Sequence, residues 1–179
     1  MNEVGALVES IESARRTLLG RISGLAEGQT TFRPADGQWN VLEVVEHLYL
    51  AELSGVSKIW AALEDVRGGH QWSEARPNAG QPIEAVVAAT WKPKEVAPPI
   101  ATPHIGGPLS FWVAATRSLT PILARLGSEL ESVPLEAVVF PHYLSGPLDG
   151  RQRFEFLRYH VERHLGQIDR IQSSKSYPR

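Results

Sequence analysis

The chain has 179 residues, 42 % hydrophobic and 21 % charged, with 18 Lys and Arg against 20 Asp and Glu for a formal charge of -2 and no cysteine. That length suits one well-filled core, so a single globular unit over residues 1–179 is expected, and the charge balance lacks the cationic excess on which nucleic-acid binding depends. Without cysteine there is no disulfide, thiolate metal site or cysteine nucleophile, so any metal ligands supplied by side chains must come from His, Asp or Glu.

Taken in chain order, apolar residues recur at Val4, Leu7, Val8, Ile11, Leu18, Ile22 and Leu25, close to the 3.6 period of an amphipathic helix. Glu9, Glu12, Arg15 and Arg16 fall mostly off that stripe. Residues 26–38 contain Gly28, Pro34 and Gly37 and read as a connector. Asn40 followed three residues later by Glu43 is a capping-box pattern and predicts the start of a second helix. That helix carries Val41, Val44, Val45, Leu48, Val56, Ile59 and Leu63 on one broad face and ends before Gly68 and Gly69. Residues 65–108 are rich in Gly and Pro and include Trp72, Trp91 and His104. So long a connection is unusual in a small helical domain and suggests a lid or a subunit contact. Pro93, Pro98, Pro99 and Pro103 exclude a continuous helix through its second half. A third helix is predicted from Pro108 to Leu126, kinked or split at Pro121. Asp149 and Gln152 repeat the capping geometry and open a fourth helix to about Gln172, with Phe154, Leu157, Val161, Leu165, Ile168 and Ile171 as its stripe. Four long helices and no convincing alternating strand point to an all-α four-helix bundle with a long irregular insertion between the second and third helices. No stretch approaches the ~20 consecutive apolar residues of a membrane span, and the opening MNEVGALVES lacks a basic segment followed by an apolar one. A cytoplasmic protein without membrane or nucleic-acid partners is expected.

The chemistry concentrates in histidines. His160 and His164 are one turn apart on the fourth helix, near its apolar stripe, so both imidazoles project from one face toward the interior. There a metal ion would satisfy nitrogens that are costly to bury unpaired. The spacing alone is equally compatible with two half-exposed helix histidines, and position 161 is Val, so the general base of an HExxH metalloprotease is absent. His47 lies two turns into the second helix on the shoulder of its buried face. It offers a third imidazole from a facing helix, or is an ordinary partly buried histidine. Three nitrogen ligands would leave coordination positions for water or substrate, as catalytic sites do. Three imidazoles suit zinc, nickel, iron and copper alike.

WNVLEVVEHL at residues 39–48 and HVERHLGQI at residues 160–168 resemble the two signature segments of the DinB/YfiT-like superfamily. The resemblance extends through the leading helix, the connector GLAEGQTTFRPADGQW and the turn FPHYLSGPL at residues 140–148, and does not cover residues 65–108. It implies a four-helix bundle holding one divalent metal ion (zinc, nickel or iron) on His47, His160 and His164, and frequent homodimerisation. It also implies a metal-dependent hydrolase, or a transferase or isomerase using a low-molecular-weight thiol as cosubstrate of a small-molecule reaction. With no cysteine in the chain, a reactive sulfur would arrive with the substrate. Asn40 stands where Ser or Thr is common in the family, a neutral change for a helix cap.

Further residues have open assignments. His142, beside Tyr143 in the turn before the fourth helix, is a proton shuttle, a fourth ligand or an exposed loop histidine. Gln167, two turns after His160, is placed to hold that imidazole by a hydrogen bond or to face a neighbouring loop. Glu43, one turn before His47, is available as a base, although capping accounts for it. Trp39 and Trp112 read as core residues, His70 and His104 as loop residues, and Glu162 points away from the histidines. The alternative to a metalloenzyme is a non-catalytic bundle stapled by the ion, acting as a stress-related binding or interaction protein, or one holding a small organic ligand in its core.

Overall fold

The computed structural model describes residues 2–92 and 96–179. Pro93, one of the four prolines expected to interrupt the long connection, lies outside the described residues. The chain is mostly helical, with helices α1 (Glu3–Ile22), α2 (Glu27–Thr30), α3 (Val41–Arg67), α4 (Ile83–Thr90), α5 (Leu109–Leu130) and α6 (Gly150–Gln172). Strands β1 (Phe140–His142) and β2 (Gly146–Leu148) form an antiparallel hairpin that pairs Phe140 with Leu148 and His142 with Gly146. Its three-residue strands are too short to show an alternating pattern in the sequence.

Each of the four long helices packs against two others: α1 against α5 and α6, and α3 against the same pair. Two apolar clusters fill the space between them. One is built on Ile11, Ile59, Leu123, Leu126 and Phe154, the other on Leu18, Val44, Val45, Trp112, Val161 and Ile168. Arg15, read from the sequence as off the stripe, is instead buried at 1 % exposure, paired with Glu52 of α3 and donating to Thr120 of α5 at 2.8 Å. Its partner lies 37 residues away, out of reach of periodicity. Burial raises the Glu52 carboxyl above its ordinary range against the opposing pull of Arg15.

Pro121 does not split α5, which runs unbroken through it. Pro121 and Arg117, four residues earlier, are both exposed, so the helix loses its Arg117 carbonyl bond on its solvent side rather than in the core.

The connection between α3 and α5 is more ordered than expected. It contains α4 and a 3-10 turn (Pro99–Ala101). Ile83, Val86 and Val87 of α4 pack on Leu148, with Trp91, Phe156 and Tyr159 around them. Polar ties fasten the first half of this segment to α6: Arg76 pairs with Asp149 at 2.7 Å, and Gln152 Nε2 donates to the carbonyls of Asn78 and Gln81 at 2.6 and 2.9 Å. Its second half reaches α3, where the Glu46 carboxylate accepts the backbone N–H groups of His104, Ile105 and Gly106 at 2.6, 2.7 and 3.0 Å. The segment thus bridges the two helices that carry the histidines.

Candidate metal centre

Both histidine-bearing helices start where their caps dictate. The Asn40 side chain accepts from Glu43 N–H at 2.9 Å while Glu43 accepts from Asn40 N–H at 2.9 Å. Asp149 and Gln152 exchange the same pair of bonds at the head of α6. The helices approach closely at Gly55, where a Cβ would stand 2.9 Å from Leu157 Cδ2. One side of this junction presents His47, the other His160 and His164, at 4 %, 8 % and 9 % exposure.

The three imidazoles converge on their Nε2 atoms. His160 Nε2 lies 3.1 Å from His47 Nε2 and 3.1 Å from His164 Nε2. Nitrogens bound to one ion at about 2.0–2.1 Å stand roughly 3–3.4 Å apart, so the spacing fits a shared ion. Proton positions make the case stronger. His47 Nδ1 donates to the Ala101 carbonyl at 2.7 Å, and His164 Nδ1 donates to Gln167 Oε1 at 2.7 Å. Each neutral ring therefore carries a lone pair, not a proton, at Nε2. His160 has at most one proton to offer there, so the two 3.1 Å contacts cannot both be hydrogen bonds, and at least one buried lone pair is left unpaired. A cation at the centre satisfies all three.

Protonation does not compete strongly. Desolvation lowers all three: His164 to about 3, with the nearby His47 adding to the effect, and His160 well below the ordinary value, with His164 and His47 contributing. His47 is lowered by burial against the opposing hydrogen bond to Ala101. The rings are neutral near pH 7, as ligation requires.

All three histidines line a cavity of about 390 Å³, the size of a small-molecule site. Phe156 stacks on His160 with ring planes 16° apart, and Trp39 tilts against His47 at 4.9 Å. The sequence model of the DinB superfamily matches residues 10–168. The chain belongs to the DinB superfamily. No curated protein and no solved structure matches it. The DinB match spans all three histidines and the whole α3–α5 connection, the part the sequence resemblance did not reach.

Other residues singled out from the DinB-like segments fall differently. Gln167 holds His164, three residues away, rather than His160. Glu43 spends its carboxylate on the Asn40 cap and on Arg33, and does not line the cavity. His142 is not an exposed loop histidine. It is 8 % exposed in β1, stacked on Trp91 at 5.8 Å, and its Nδ1 accepts from Leu144 and Ser145 N–H at 3.3 and 3.2 Å. Its proton is consequently on Nε2. Burial, then the charges of Arg153 and Lys58, lowers it to about 3. His142 lines the cavity but is not among the converging imidazoles. His70 is exposed, as is His104, which bonds the Thr102 carbonyl. Trp112 is fully buried and donates to the Gly106 carbonyl at 2.9 Å. Glu162 is exposed and paired with Arg158.

Sequence reasoning missed Ala101, whose carbonyl fixes the tautomer of His47, because backbone acceptors leave no residue-type signal. It also passed over Glu46. A Glu beside His47 on a helix reads as solvated, and only the three N–H groups converging on it reveal otherwise.

Proposed function

We propose that the chain is a single DinB-type four-helix-bundle domain over residues 1–179, and a metal-dependent enzyme acting on a small molecule. His47, His160 and His164 would hold one divalent ion, zinc, nickel or iron. The observation that carries this reading is the convergence of three Nε2 atoms on the wall of a cavity large enough for an organic substrate. When bound, the ion supplies Lewis acidity, lowering the pKa of a water or thiol that it touches.

The residues around the site favour a thiol-dependent transferase or isomerase over a hydrolase. Among the described residues no Asp or Glu lines the cavity, so none of them offers a carboxylate base to deprotonate water. A low-molecular-weight thiol, with an ordinary pKa near 8.5 against 15.7 for water, needs far less help. His142, held by two backbone N–H groups at Nδ1, presents Nε2–H as a donor for a leaving group or carbonyl oxygen. Trp39, Trp91 and Phe156 give the cavity apolar walls against which the body of an organic substrate would pack. A cytoplasmic location and a homodimer belong to the same proposal.

The test is turnover by protein reconstituted with zinc, nickel or iron, in assays of thiol addition to electrophilic substrates and of ester hydrolysis. The expected result is thiol-dependent turnover that disappears in His160→Ala. Absence of turnover with every metal, together with unfolding on chelation, would favour an ion that only staples α3 to α6.

A further inference from the structure

Arg153 is an arginine in a place that ordinarily excludes one. It is 7 % exposed and lines the cavity, yet no carboxylate among the described residues pairs with it. Nη2 donates to the Phe140 carbonyl at 2.7 Å, and the guanidinium lies over the Phe140 ring at 3.7 Å. Its Nε is buried without any acceptor. It also stands in the first turns of α6, where the helix dipole opposes a cation and favours an anion. Desolvation accordingly lowers it to about 9. The cavity's other cations add to a wall that holds no carboxylate among the described residues: Lys58 at the exposed rim, and Arg163, half-buried with its guanidinium 4.8 Å above Trp91.

An unpaired buried charge is destabilising unless something else supplies its partner. We propose that Arg153 is the binding residue for a carboxylate or other anionic group on the substrate, whose apolar body lies along Phe156 and Leu157 toward the histidines. This deepens the reading of the cavity as a substrate site and rests on it. Arg153 and His160 are seven residues apart on one helix, two turns or about 10 Å along its axis. The substrate class is therefore an extended organic anion, with its reacting end on the histidine side and its charge at the head of α6.

The test uses straight-chain carboxylates from butanoate to octanoate, with the matching primary alcohols, titrated calorimetrically into the metal-free full chain. Octanoate is expected to bind at least tenfold more tightly than octanol, with affinity rising about fourfold per methylene along the series. Arg153→Met should erase the preference for the carboxylate, and Arg153→Lys retain part of it. In case Arg153→Met does not fold, modification of wild-type protein by phenylglyoxal, mapped by mass spectrometry, provides a second reading: octanoate should protect Arg153. Equal binding of acid and alcohol, or no protection of Arg153, overturns the proposal. Binding of octanoate only to metal-loaded protein also overturns it, by placing the anion on the ion, and leaves the metal site standing. If no metal binds but the Arg153-dependent preference persists, the metal reading fails and the anion site survives.

Discussion

The imidazole orientations at the centre are set by two hydrogen bonds of different kinds, and each makes its own prediction. Gln167 holds His164 from one turn further along the same helix. Gln167→Ala should weaken metal binding about 10–100-fold, read by competition with a chromophoric chelator, while the urea midpoint of the apo protein barely moves. Glu46 acts through the chain that carries Ala101. Its carboxylate anchors three backbone donors, and charge-assisted bonds contribute about 1.5–3 kcal/mol each. Glu46→Ala should therefore cost about 3 kcal/mol after the loop relaxes, measured by urea denaturation, and Glu46→Gln less. His142 supplies a pH signature. Its folded pKa of about 3 lies below the unfolded value near 6.5, so the unfolded chain binds the extra proton. Stability is then full above pH 6.5 and declines as pH falls toward 3, with a slope of about 1.4 kcal/mol per pH unit for this group. His142→Asn keeps an acceptor for Leu144 and Ser145 without titrating, and should remove that share of the slope.

At the level of helices, two glycines mark close approaches, Gly55 between the histidine-bearing α3 and α6 and Gly127 between α5 and α1. A Cβ at Gly55 meets the flexible end of Leu157 at 2.9 Å, while one at Gly127 meets the β-branched Val8 Cγ2 at 2.8 Å. Leu157 borders the cavity and has room to turn, so the loss in Gly55→Ala is offset by the gain of about 1 kcal/mol in helix propensity. Val8 is stiff at χ1, so Gly127→Ala should destabilise by about 1–3 kcal/mol net of that gain, with chemical denaturation of both variants as the check. The same scale shows what the sequence discloses. The helix starts at Asn40 and Asp149 were legible because capping boxes are local, and His160 and His164 because four-residue spacing on a helix is a statement about one face. Helix α4 was not. Ile83–Thr90 has almost no polar face and no side-chain cap, and it follows Pro82, so what makes it helical is packing on Leu148 and Phe156. The direction of Gln167 was misread for a related reason: facing His160 in projection and touching His164 differ by one turn, which side-chain rotamers decide. His142 looked exposed because its cover, Trp91, lies 51 residues earlier in the chain.

Across the whole molecule, the α3–α5 connection joins what the histidines would join. It is tied to α6 through Arg76, Asn78 and Gln81 and to α3 through Ala101 and residues 104–106. No helix among the described residues is long and apolar enough to cross a membrane. Metal binding to the folded state alone should raise stability by about 4 kcal/mol at a thousandfold excess over the dissociation constant, about 10 °C in Tm for a chain of this size. Amide hydrogen exchange should slow in residues 101–106 as well as around the three histidines, because His47 is bonded to that segment.

The central claim is that His47, His160 and His164 share one ion. Zinc K-edge X-ray absorption on the full chain loaded with one equivalent addresses it most directly. Three imidazole nitrogens at about 2.0–2.1 Å are expected for the wild type and two for His47→Ala. A wild-type spectrum with fewer than three imidazoles, or one that His47→Ala leaves unchanged, would contradict it.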